Sequence, residues 1–205
     1  MAEYASEVTD HMLKTENLYI PASGYITKQM DINEKMRAIL IDWLIEVHLK
    51  FKLLPETLFL TVNLIDRYLE KIQVQRTKLQ LVGVTSMLIA SKYEEIYAPE
   101  VRDFVYITDK AYTKEEILQM EKNILNELDF NITFISSYRF LERLSKILGS
   151  DSLMFNLSRY NIELPLMEFK MIKYCPSNLA ASAIYLASKI LQKSVGKEAA
   201  ATKNF

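Results

Sequence analysis

Met36-Arg37-Ala38-Ile39-Leu40-Ile41-Asp42-Trp43-Leu44 is the stretch that decides the fold class. Spaced as a helix, Met36, Ile39, Leu40, Trp43, Leu44 and Val47 fall at i, i+3, i+4, i+7, i+8 and i+11, which is one apolar stripe. Ile41 and Ile45 lie off that stripe and are apolar too. Apolar on nearly all sides, the segment predicts a helix at the buried centre of a helical domain.

Helical signals continue on both sides. A short amphipathic helix is expected from about Tyr4 to Glu16, followed by a loop with Pro21 and Gly24. Asp31-Ile32-Asn33-Glu34 has capping-box spacing, with Asp31 as N-cap and Glu34 reaching back. The Trp43 helix then runs to about Phe51. Pro55 opens the next helix, which ends near Lys71, because proline is tolerated in a first turn. A third helix, about Thr77 to Glu94, contains the small residues Gly83, Ser86 and Ala90, so neighbouring backbones can approach it closely; glycine there needs a packing reason. Pro99 starts a short helix to about Tyr106. Thr113-Lys114-Glu115-Glu116 is a second capping box, and Asp129-Phe130-Asn131 breaks the helix it opens. Three more helices are expected over about 137–148, 153–164 and 177–193. The tail from Ser194 to Phe205 has no apolar stripe to anchor it.

Composition agrees with an all-α chain. Half of the 205 residues are hydrophobic, while Gly 4 and Pro 5 are too few for a turn-dense all-β fold. The net charge is −1, which lacks the basic excess that binding nucleic acid through phosphates calls for. Cys175 is the only cysteine, so no internal disulfide can form. The N-terminus lacks a secretory signal, and the longest apolar stretch, Leu79 to Ala90, is too short and too polar to span a bilayer. The expectation is a soluble intracellular protein with no membrane partner.

An internal repeat is present. Leu88-Ile89-Ala90-Ser91-Lys92 echoes Tyr185-Leu186-Ala187-Ser188-Lys189, 97 residues on. Gly83 then aligns with Ala180, Thr85 with Ser182 and Met87 with Ile184. Two tandem helical bundles account for this; two unrelated buried helices of similar composition are the alternative. On the tandem reading the counterpart of Leu128 would lie beyond residue 205. The second bundle is therefore expected to lack its last two helices, with exposed apolar surface near Leu153, Leu157 and Ile184.

The chain resembles the cyclins, most closely a mitotic, B-type (A/B-type) cyclin. The resemblance is carried by Met36–Leu40, Leu64-Ile65-Asp66-Arg67-Tyr68-Leu69, Lys78-Leu79-Gln80-Leu81-Val82-Gly83, Ala90-Ser91-Lys92-Tyr93-Glu94-Glu95, Phe104-Val105-Tyr106-Ile107-Thr108-Asp109, Tyr112-Thr113-Lys114 and Met120-Glu121. Phe140-Leu141 and Pro176-Ser177 extend it more loosely into the second bundle. Lys50-Phe51-Lys52-Leu53-Leu54 and Ser145-Lys146-Ile147 point to the B-type. The resemblance implies an all-α cyclin fold of tandem five-helix boxes with the second truncated: residues 1–30 a helix and linker, 31–134 the first box, 135–205 a partial second box.

It also implies a function. Cyclins are non-catalytic regulatory subunits that bind and activate cyclin-dependent kinases in cell-cycle (G2/M) control, as heterodimers found in nucleus and cytoplasm. By analogy, Lys92 and Glu121 contact backbone groups of the kinase, Ile89, Tyr93, Leu125 and Ile132 supply apolar contacts, and Val8 and His11 reach its other lobe; His11 stands where A- and B-type members usually carry an aromatic residue. Met36, Ile39, Leu40, Trp43, Glu46 and Gln80 resemble the groove that docks Arg-x-Leu substrates and inhibitors: an apolar slot for leucine, Glu46 for the arginine, Gln80 for the peptide backbone.

Taken without the resemblance, these residues keep ordinary readings. Lys92 suits the C-terminal helix dipole with no partner. Glu121 reads as a solvated helix residue, and Ile89, Leu125, Ile132 and the Trp43 stripe read as core. Arg37 and Asp66 are candidates for a structural ion pair. Arg37–Leu40 and Arg76–Leu79 both spell Arg-x-x-Leu, the core of a degradation signal, but each lies at or in a helix. Enzymatic readings lack support: His11 and His48 have no metal-ligand spacing, no glycine-rich phosphate loop exists, and Cys175 has no histidine near it in sequence. No cofactor or metal is expected. Two non-kinase readings compete: a cyclin-fold adaptor, and a transcription-factor-like scaffold that would want a basic surface.

Overall fold

The computed structural model describes residues 3–192. All regular elements among them are helical: α1 (Ala5–Thr15), α2 (Glu34–Phe51), α3 (Pro55–Lys71), α4 (Leu79–Glu94), α5 (Val101–Ile107), α6 (Lys114–Glu127), α7 (Ser137–Leu148), α8 (Ser152–Glu163) and α9 (Pro176–Ile190), with short 3-10 turns between. The expected tail from Ser194 lies outside the described residues. The chain divides into two compact units that are discontinuous in sequence. A central unit comprises Tyr19–Phe134 with Leu166–Lys173. A terminal unit comprises Ile135–Pro165 and the described residues before Tyr19 and from Tyr174 onward. The expected linker before residue 31 thus divides, and α1 is grouped with the second repeat.

Local rules place most helix ends. Pro55 sits in the first turn of α3, Thr113 and Glu116 form the expected capping box of α6, and Gly149, at φ 62°, closes α7. Two expectations need correction. Asp31 does not cap α2: Asn33 does, its side chain accepting the Met36 N–H at 3.0 Å. Asp31 instead takes the backbone N–H and Nε of Arg76, at 2.8 and 2.6 Å. A bidentate cation outcompetes a single peptide N–H for the carboxylate. Pro99 likewise precedes α5 rather than opening it, since Glu100 and Asp103 make the capping box.

A further correction concerns the centre of the central unit. Every residue of α4 from Leu81 to Ser91 is buried, as is every residue of α3 from Thr57 to Leu69. α2 turns Leu40, Ile41, Leu44 and Val47 inward but leaves Ile39 60% exposed and Trp43 half-buried. α4 is the central helix because α2, α3, α5 and α6 all pack on it. Gly83 supplies the packing reason: a Cβ there would lie 2.8 Å from Leu40 Cδ1, so α2 and α4 approach through it.

A charged cluster is buried inside this unit. Arg37 donates from Nε and Nη2 to the two oxygens of Asp66 at 2.6 and 2.7 Å, and Tyr25 donates its hydroxyl to Asp66 Oδ1 at 2.6 Å. The third edge of the guanidinium bonds the Leu166 carbonyl at 2.9 Å, and Phe169 packs edge-on against Tyr25. This returns 166–173 to the central unit. Burial and then the Asp66 carboxylate push the Tyr25 hydroxyl well above its ordinary pKa. Burial alone would lower that of Arg37, but Asp66 outweighs it and holds the cation above its usual value.

In the terminal unit α7, α8 and α9 pack on one another through Phe140, Leu141, Met154, Ile162, Ala180, Ala183, Ile184 and Ala187. Glu16, buried just past α1, accepts the Ser177 N–H and hydroxyl at 2.9 and 2.8 Å, so a distant carboxylate caps α9. The repeat register holds at Gly83 and Ala180 and at Met87 and Ile184, all buried, but burial differs at other aligned positions: Thr85 is buried and Ser182 exposed. Leu88 and Ile89 of α4 are buried, whereas their counterparts on α9, Tyr185 and Leu186, are exposed. Leu153 is exposed as expected and Leu157 half-buried, but Ile184 is core, on the face that meets α7 and α8.

Candidate functional site

Two surfaces of the central unit gather the sequence candidates. On the first, Lys92 in the last turn of α4 reaches Glu121 on α6, Nζ lying 2.8 and 3.0 Å from the two carboxylate oxygens. α6 is held for this by its capping box and by the buried Ile117 and Ile124, which flank Glu121 on the helix. The Lys92 side chain is 47% exposed and that of Glu121 14%, so the lysine faces water while the glutamate is largely covered. The two residues are 29 apart in sequence, and no local signal pairs them. A partly exposed ion pair contributes only about 0–1 kcal/mol to stability, so both groups can change partners at small expense.

Around that pair, Tyr93 is half-exposed with its hydroxyl 2.7 Å from the Thr133 hydroxyl. Leu125 and Ile132 are partly buried against the core. Ile89 does not belong to this surface as an exposed group: it is 3% exposed, inside the core cluster, because α4 is covered on that side. Three exposed apolar residues in the segments that follow α4 and α6 were not among the sequence candidates: Ile96 at 89%, Tyr97 at 92% and Phe130 at 64%. Their signal was available. Each is a large apolar residue in a helix break, outside any stripe that would carry it to a core. Val8 and His11 are exposed on α1, a helix with no buried residue, in the terminal unit.

The second surface is a groove of about 300 Å³ lined by Met36, Ile39, Leu40, Trp43, Leu79, Gln80 and Arg76. Five of the six groove candidates meet there. Glu46 is exposed farther along α2 and does not line the groove. Arg76, held by Asp31, is a cation on the rim that the sequence candidates did not include. The groove exists because the α2 stripe is wider than the core can cover. Leu40 and Leu79 form its floor, while Met36, Ile39 and Trp43 stay partly in water. Neither Arg-x-x-Leu copy is free chain, since Arg37 and Leu79 are buried.

Among the described residues, no group of three or more potential ligand side chains could hold a metal ion, and no helix is long and apolar enough to cross a membrane. Cys175 caps nothing with its side chain; its thiol donates to Asn17 Oδ1 at 3.2 Å.

The family model described as cyclin, N-terminal domain, matches residues 7–133, and that described as cyclin, C-terminal domain, matches residues 135–202. The chain belongs to the cyclin family. Within it the similarity runs to the B-type, mitotic members. The chain is 53% identical over 191 residues to Cyclin-B2-1 of Oryza sativa subsp. japonica, covering 93% of this chain and 46% of that one. It is 51% identical over 191 residues to the G2/mitotic-specific cyclin-B of Marthasterias glacialis, covering 93% and 49%. The chain thus spans about half the length of the curated relatives it matches. Among solved structures, a viral cyclin from herpesvirus saimiri shares the fold with a TM-score of 0.84 at 22% identity, over 93% of this chain and 85% of that one.

Proposed function

We propose that this chain is a regulatory subunit, not itself an enzyme, that binds and activates a cyclin-dependent protein kinase in G2/M control, as a heterodimer in nucleus and cytoplasm. The observation that carries the reading is the Lys92–Glu121 pair, weakly committed to itself, with Tyr93, Ile96, Tyr97 and Phe130 exposed at the ends of the two helices that hold it or just after them. Such a surface can exchange an intramolecular ion pair for backbone groups of a partner and bury aromatic area at the same time. Leu125 and Ile132 would extend it, and Val8 and His11 would add contacts from α1. Membership of the cyclin family supports a kinase as the partner. So do the names of two structures that share the fold, an RNA polymerase II CTD kinase complex and a CAK complex bound to ATP-gamma-S.

Activation is a population shift of the kinase. Moving it from 1:99 to 99:1 active takes roughly 5.5 kcal/mol of differential binding, within reach of an interface of about 1,600 Å². The apolar groove at Trp43 would recruit substrates or inhibitors through Arg-x-Leu segments, the leucine entering between Met36, Leu40 and Trp43. The test is co-purification with a purified cyclin-dependent kinase followed by phosphorylation of a histone peptide. Binding with activation is the expected result. A folded, helical sample that binds no such kinase would transfer the chain to an adaptor role.

A further inference from the structure

The turn leaving α6 holds two consecutive residues in left-handed backbone, Asp129 at φ 50° and Phe130 at φ 57°, and neither is glycine. A phenylalanine is poorly suited to that region, and this one exposes 64% of its surface. An unfavourable backbone carrying an exposed aromatic side chain persists only where its surroundings over-determine it. Part of that determination is local: the N–H groups of Phe130 and Asn131 donate to the Leu125 and Leu128 carbonyls, both at 2.9 Å. The rest comes from α3. Lys71 Nζ donates to the Glu127 carbonyl at 2.7 Å, and Arg67 Nη2 donates to the Asn131 carbonyl at 2.8 Å.

Arg67 is the more constrained of the two. It is 9% exposed, its guanidinium lies 4.8 Å from the Tyr19 ring centroid, and Nη1 is 3.4 Å from Asn63 Oδ1. Asn63 in turn donates to the Tyr19 carbonyl at 2.8 Å. A planar guanidinium stacked on a ring and bonded at its edges is a rigid donor, which an ammonium on a flexible stem is not. On the kinase-docking reading above, we propose that Arg67 is a positioning residue. It touches no partner, but by holding the Asn131 carbonyl it presents the Phe130 ring next to Leu125 and Ile132. Affinity for a kinase therefore depends on a buried residue of α3 through an exposed residue of another element.

The test uses the full chain as wild type, R67M, F130A and R67M/F130A, titrated against an immobilised, purified cyclin-dependent kinase catalytic subunit, with helical content and melting temperature followed alongside. Each single substitution is expected to weaken binding about tenfold, with the double variant no weaker than the worse single one. Multiplying losses, or unchanged binding by R67M, would overturn the proposal. Amide exchange gives a readout independent of the partner. In R67M, or in R67K should R67M not fold, the Phe130 and Asn131 amides are expected to exchange about tenfold faster while those from Ile117 to Ile124 are unchanged. Unchanged exchange at Phe130 and Asn131 overturns the proposal whatever the kinase does. Loss of kinase binding by the wild type, with the exchange effect present, would instead overturn the kinase reading.

Discussion

Asp66→Ala removes the carboxylate that, among the described residues, pairs with a guanidinium that is 1% exposed. In its absence Arg37 keeps the Leu166 carbonyl at 2.9 Å and the Phe169 ring at 5.8 Å, neither of which neutralises it. Breaking a buried pair by deleting one partner costs about 3–5 kcal/mol, and the orphaned Tyr25 hydroxyl adds about 1–3 kcal/mol. Water entering the alanine cavity reduces both, so the net expectation is about 4–5 kcal/mol, against a total stability of about 5–15 kcal/mol for a domain. The contrast is the triple variant R37M/D66L/Y25F, which removes every polar member except the Leu166 carbonyl. Well-packed apolar replacements of buried ion pairs are often neutral, so the triple is expected within about 2 kcal/mol of wild type. The assay is urea unfolding followed by fluorescence of Trp43, the single tryptophan, so that the signal reports the central unit alone. A loss below about 1 kcal/mol for Asp66→Ala, or a triple variant no more stable than the single one, would refute the reasoning.

Three other outcomes are expected. Trp43→Ala opens the groove between Met36 and Leu79 and should weaken an Arg-x-Leu peptide about tenfold or more in a fluorescence titration, while activation towards a short peptide lacking that motif is unchanged; global unfolding would mean Trp43 is core. Glu16→Ala strips α9 of its cap and should cost about 0.5–2 kcal/mol, with faster amide exchange at Ser177; an unmoved melting temperature and exchange rate would argue against the cap. The third concerns acid. Hydrogen bonds from Arg76 hold the Asp31 carboxyl below its ordinary 3.8, and the Thr113 N–H followed by Lys78 holds Glu116 below 4.5. Both native values lie under the unfolded ones, so their contribution is complete above about pH 5 and fades as pH falls through the depressed values. D31N/E116Q should therefore differ from wild type at neutral pH and converge with it below about pH 3; a difference that grows on acidification would contradict the sign.

What was legible in the sequence was local or periodic. Pro55, the Thr113–Glu116 box and the Asp129 break each act within a few residues, and the helices they bound are present. The groove was readable too, because one α2 stripe carries Met36, Ile39, Leu40 and Trp43 together. What failed depended on residues far apart. Asp31 fits a capping box until Arg76, 45 positions away, claims its carboxylate. Ile89 and Tyr93 fit one helix face by spacing, yet only the packing of α5 and α6 determines that the first is core and the second exposed. Periodicity rates α2 and α4 alike, and the central place of α4 comes from how many neighbours cover it. The segment just past α1 is tied to the second repeat by Glu16 and Ser177, 161 residues apart, for which the sequence holds no local sign.

The measurement that tests the central claim most directly is a titration of wild type and K92A/E121A into a purified cyclin-dependent kinase, reading phosphorylation of a histone peptide at limiting concentration, with circular dichroism on both samples. Equal helicity and melting with activation lost in the double variant is the predicted result, since each anchor would contribute about 2–4 kcal/mol to the complex but little to the free chain. Full activation by the double variant would contradict the account.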